Sequence, residues 1–180
     1  DFGEPGYCKL IVGIHQPNYL PWLGYFYKIA QSDVFIFLDD VQYSKNSYIN
    51  RVRVSGPGGE KWLTVPVSYK FGDPISKVRP ADPDWPSRHL DTLVNYYKSA
   101  ACFRVVWPSV RDIYQGISND DLASINRWLV EGVAAELGVS CRFEVSSRFS
   151  TEGLTGDDRL LALVSAVDPR GTYLSGRGGA

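Results

Sequence analysis

The first regular pattern in the chain is LIVGI, an apolar run that predicts a strand at about 10–14, and HQPNYLP breaks it at once. A helix is predicted across 22–31, where Leu23, Phe26, Tyr27 and Ala30 fall on one side. VFIFLDD then reads as a central strand ending in carboxylates. RVRV and KWLTVPV flank GPGGE, the pattern of a hairpin with a glycine-rich turn, and Pro66 favours an edge position for the second arm. Helical periodicity takes over near 87–99, 105–116 and 120–137, the last opened by Asn119 or Asp120 as cap and closed by Gly138. CRFEV predicts a strand, GDDRLLALVSAV an amphipathic helix and TYLSG a final strand.

Strands alternating with helices at both ends, around a hairpin insertion and a helical block, predict one α/β domain over 1–180 with a mainly parallel sheet. In such sheets ligands bind beyond the carboxyl ends of the strands. HQPN, DDVQ and SGRGG each follow a predicted strand, so the three segments are expected to meet in one crevice.

Composition narrows the function classes. At 180 residues and 44% hydrophobic, the chain can bury one substantial core. The formal charge of -1, from 19 basic and 20 acidic residues, gives no broad attraction to nucleic acid or anionic membrane, so an anionic ligand must be held locally. With no apolar stretch near membrane-spanning length and no leader pattern, a soluble cytoplasmic protein is expected. Cys8, Cys102 and Cys141 form neither a disulfide framework nor a zinc motif and read as small buried hydrophobes. Arg104 gives Cys102 alone a route to a thiolate.

The candidate chemistry concentrates at the strand ends. Pro17 and Pro21 restrict the loop that carries His15, Gln16 and Asn18, which readies those side chains for a ligand. His15 has a bland alternative, a neutral imidazole bonded to a backbone carbonyl beneath the loop. Tyr19 and Trp22 either wall the site or pack it. Alternation would send Asp39 and Asp40 to opposite sides of their strand. Asp39 suits a turn or cap, whereas Asp40, followed by Gln42, suits a base, a hydroxyl contact or a Mg²⁺ ligand. Asn50 and Arg51 open the hairpin, where Arg51 is either a fork for phosphate or a surface ion pair. Ser175, Gly176 and Arg177 lie in a segment whose glycines let backbone amides approach an anion. Asp120, Asp121, Asp157 and Asp158 stand at helix starts and read as structural. His89 reads as a partly exposed or satisfied helix residue rather than a ligand, and Trp62, Trp85, Trp107 and Trp128 read as packing.

HQPNYLPWLGYFYKI, SDVFIFLDDVQYSKNSYINR, KWLTVPV and TYLSGRGG together resemble the WbqC-like protein family, in order, over roughly residues 11 to 178. The resemblance implies a biosynthetic role on sugars or related small molecules in bacterial O-antigen, other polysaccharide or secondary-metabolite pathways. It implies His15, Gln16, Asn18, Asp40, Gln42, Asn50, Arg51, Ser175 and Gly176 as the site. Family members usually continue past the glycine-rich segment, so part of the pattern is expected beyond Ala180. A looser architectural likeness links the opening strand, loop and helix to nucleotidyltransferase-type enzymes with a Rossmann core, such as pantothenate synthetase, although their second motif histidine is missing. The leading expectation is a transferase that moves an acyl or aminoacyl group to a phosphate-containing sugar nucleotide or amino-sugar-like metabolite. A ligase or nucleotidyltransferase using ATP with Mg²⁺, and a non-catalytic partner of a pathway enzyme, are the alternatives.

Overall fold

The computed structural model describes residues 9–56, 58–118 and 120–176. The first half of the chain forms β1 (Ile11–His15), α1 (Leu23–Ala30), β2 (Val34–Phe37), the hairpin β3 (Arg51–Gly56) and β4 (Gly59–Thr64), and the short β5 (Val67–Ser68) and β6 (Arg79–Pro80). The second half forms α2 (Trp85–Tyr97), α3 (Phe103–Gln115), α4 (Leu122–Glu136), β7 (Arg142–Val145), α5 (Gly156–Val167) and β8 (Thr172–Leu174).

The main sheet has the order β7-β2-β1-β8, with every neighbouring pair parallel. Strand alternation builds two cores from it. On one face Phe35 and Phe37 pack with Tyr25, Phe26 and Ile29 of α1 and Val130 and Ala134 of α4. On the other, Val12, Ile14, Val34 and Ile36 meet Leu163 and Val164 of α5. Helices on both faces explain why VFIF is apolar throughout. Gly13 is required by close approach, because a Cβ there would lie 2.4 Å from Ser32 Oγ and 2.8 Å from the Phe35 ring.

A third core lies beside the sheet, where β3, β4, α2, α3 and α4 enclose Ile49, Leu63, Trp85, Tyr114, Leu122, Ile125 and Leu129. Each large apolar side chain buried there contributes about 1.5–3 kcal/mol. One residue of the opening loop, Tyr19, belongs to this core. Helix α4 reaches both regions, with Leu129 toward the hairpin and Val130 toward the sheet.

Four expectations need correction. The second strand ends at Phe37, so Asp39 and Asp40 lie beyond it and strand alternation does not govern them. Asp121, not Asp120, caps α4, its carboxylate accepting from the Ser124 amide at 3.0 Å; Asn119 lies outside the described residues. Cys102 is exposed rather than buried, while burial pushes the Cys141 thiol up to about 11, and Cys8 lies outside the described residues. Trp62 and Trp128 are substantially exposed rather than packed, whereas Trp85 is buried.

Candidate functional site

The HQPNYLP loop is pinned by hydrogen bonds at His15, Gln16, Pro17 and Tyr19. The Gln16 carbonyl accepts from the Tyr25 hydroxyl at 2.8 Å and from the His15 ring at 3.0 Å. Asn126 of α4 donates its amide to both the Pro17 carbonyl, at 2.8 Å, and the Ile49 carbonyl, at 2.7 Å. The Tyr19 amide donates to the Tyr48 carbonyl at 2.9 Å. Leu20 is held at φ 41°, a left-handed conformation that an unconstrained leucine avoids.

Tyr19 itself is fully buried and its hydroxyl bonds to His89 and Tyr114, so the expected substrate contact is an internal anchor. Asn18 is buried too, at 5% exposure.

His15 is half-buried at the carboxyl end of β1. A carbonyl can only accept, so Nδ1 carries the proton that bonds Gln16, and Nε2 is left with the lone pair. Burial lowers the ring's pKa; the Gln16 bond opposes that and the charge of Lys28 adds to it. The imidazole is therefore neutral at pH 7, with a defined basic nitrogen. Tyr25 and Trp22 stand edge-on to it, at centroid distances of 4.8 and 6.1 Å.

From Trp22 an exposed aromatic strip crosses toward the hairpin. Trp22 meets Tyr48 at 6.4 Å, and Tyr48 meets Trp62 at 6.0 Å. Arg51 closes the strip, its guanidinium 4.1 Å from the centre of the Trp62 ring, and Arg53 approaches the same ring at 5.4 Å. The Arg51 fork already donates to Asn46, while its Nε is buried without a partner. Asn50 donates to the Val65 carbonyl at 3.1 Å and is otherwise buried, its Oδ1 unpaired like the Tyr43 hydroxyl. Gln42 is exposed and bridges to Pro74 through its backbone.

Asp40 sits elsewhere along the same sheet edge. Its Oδ1 accepts from Arg159 of α5 at 2.5 Å and from Ser146. Asp39 binds the turn after β7 instead, accepting from the Ser147 amide at 2.9 Å and the Ser147 hydroxyl at 2.6 Å. A polar cavity of about 330 Å³ is lined by Asp40, Ser147, Thr151, Glu152 and Arg159. A second cavity of about 360 Å³, between α2, α3 and α4, has a mainly apolar lining that includes Cys102. Ser175 and Gly176 are exposed at the end of β8, and Arg177 lies outside the described residues.

The expected single crevice is thus one sheet edge with two parts, His15 on the α1 face and Asp40 beside α5. Sequence reading missed Lys28, Asn126 and Arg159, which act on the site from helices. The Lys28 charge on one turn of an amphipathic helix was the available signal; Asn126 and Arg159 gave none.

The WbqC-like protein family matches residues 16–180. The uncharacterized protein Rv1507c of Mycobacterium tuberculosis is 34% identical over 167 residues, covering 92% of this chain and 71% of that protein. No solved structure matches. The chain therefore belongs to the WbqC-like protein family.

Proposed function

We propose that the protein is a biosynthetic transferase that moves an acyl or aminoacyl group onto a sugar nucleotide or amino-sugar-like metabolite. The observation that carries this reading is His15, whose Nδ1 proton is committed to Gln16 and whose Nε2 is the free base. An acceptor amine or hydroxyl attacks the donor carbonyl while Nε2 takes its proton, and the leaving group takes that proton as the tetrahedral intermediate collapses. Backbone amides of the loop are the oxyanion donors in this scheme, since Asn18 is buried. The strip from Trp22 to Trp62 offers faces for a sugar or base, and Arg51 a charge at its far end.

The adenylating alternative draws on Asp40 as a Mg²⁺ ligand, and the engagement of its Oδ1 by Arg159 and Ser146 weighs against that role. Family membership alone supports only a pathway-associated protein. The test is a thermal-shift screen with sugar nucleotides, acyl-CoA thioesters and ATP with Mg²⁺, followed by mass spectrometry of products. Stabilisation by a sugar nucleotide, with an acylated product formed from a thioester, is expected; stabilisation by ATP with Mg²⁺ alone overturns the reading.

A further inference from the structure

The fork between β1 and β8 holds a cation that no carboxylate among the described residues neutralises. Lys28, in the last turn of α1, donates its Nζ to the Ile14 carbonyl at 2.7 Å. Carbonyls point alternately to the two sides of β1: Leu10 accepts from Thr172, Ile11 from Asp33 and His15 from Leu38. Ile14 therefore faces the β8 side. Pairing with β8 stops one residue earlier, at Gly13 and Leu174, so the ladder offers Ile14 no partner there. The ammonium fills that place, 5.4 Å from the centre of the Tyr173 ring.

Three features make this position a seat for an anion. An ammonium has three donors, and Ile14 uses one. Among the described residues no carboxylate lies within ion-pair distance of Lys28, unlike Arg53, Arg88, Arg127 or Arg159. The place is also the point where the topology divides: α1 leaves β1 on one face, α5 reaches β8 on the other, and the crevice between such strands is where α/β sheets bind ligands. Burial already lowers the pKa of Lys28, the mark of a charge held partly out of water without compensation.

We propose that Lys28 holds a phosphate group of the ligand in the fork between β1 and β8, beside His15 and the exposed Ser175 and Gly176. The ammonium, a compact point charge with rotatable donors, suits a phosphate better than the Arg51 fork, which Asn46 already occupies. The identity of the remainder of the ligand rests on the transferase reading; the anion seat does not.

The test uses the full chain and inorganic pyrophosphate, with acetate as a carboxylate control. Binding is measured by calorimetry and the His15 imidazole is followed by NMR, which two histidines make simple to assign. Pyrophosphate is expected to bind and to raise the His15 pKa, because an anion beside the ring favours its charged form. Lys28→Met should weaken binding by roughly ten- to a hundredfold and remove the His15 response, and Lys28→Arg should keep most of both. Unchanged binding in Lys28→Met, or binding of acetate in place of pyrophosphate, overturns the proposal. Should Lys28→Met fail to fold, the wild-type titration decides, since a His15 resonance that ignores pyrophosphate overturns it equally. A protein that passes this titration but transfers no acyl group would sink the transferase reading and leave the seat standing.

Discussion

The chain's two histidines sit in matched settings with one difference. Each is withdrawn from water, each donates one ring proton to a backbone carbonyl, and each has a lowered pKa. For His89 the carbonyl is that of Thr64, at 3.0 Å, so Nε2 carries the proton and Nδ1 must accept from the Tyr19 hydroxyl at 2.7 Å. Tyr19 in turn accepts from Tyr114. Both His89 nitrogens are spent, while among the described residues nothing bonds the second nitrogen of His15. Burial and a shifted pKa, shared by both, say little about function; the unspent nitrogen separates a base from a brace.

The largest effect should come from His15→Ala. Turnover is expected to fall by roughly 10²–10⁴-fold, the range of a lost general base, with little change in Tm. A large loss of stability with activity retained would make His15 a second brace and erase the comparison.

His89→Ala should do the reverse. It removes the acceptor of the Tyr19 hydroxyl proton and the donor to the Thr64 carbonyl, at a cost of about 3 kcal/mol, visible in urea melts while the folded fraction stays active.

The pH dependence of folding sharpens this further. Burial lowers the folded His89 pKa from 6.5 to about 4, so between those values the unfolded chain binds the proton and the native one does not. Stability should therefore fall by about 2–3 kcal/mol as the pH drops through that window, and this component should be missing in His89→Gln. An identical acid profile in the variant would show that His89 is not the titrating group.

The smallest effect belongs to the aromatic strip. Trp62→Ala is expected to weaken sugar-nucleotide binding by about 1 kcal/mol, roughly fivefold, in calorimetric titration, with the turnover of bound substrate preserved. A fall in kcat with unchanged KM would place Trp62 in the chemistry and not in binding.

Local pattern made the elements of this fold legible. Apolar runs, the hairpin turn and helical periodicity locate β1, β2, β7, β8 and the helices to within a few residues. What stayed hidden depends on contacts between distant residues. Asn18 and Asn50 look like ligand contacts in their motifs, yet Asn18 is buried within its loop and Asn50 supports the Val65 carbonyl. Asp40 looks free until α5, more than a hundred residues later, brings Arg159 against it. Trp62 looks like core because nothing in KWLTV shows that its face of the hairpin carries Arg51 and Arg53. The strand ends were readable because each is written in one contiguous stretch; the partners that tune them were not.

Asn126 also ties the two halves of the site together. Its one amide group grips the Pro17 and Ile49 carbonyls together, and the Tyr19 amide adds a direct bond to Tyr48. The stretch that carries His15 and the stretch that leads into Arg51 are therefore tied to each other and to α4. Amide exchange at Tyr19 should report their separation, and a ligand spanning both stretches is expected to slow it.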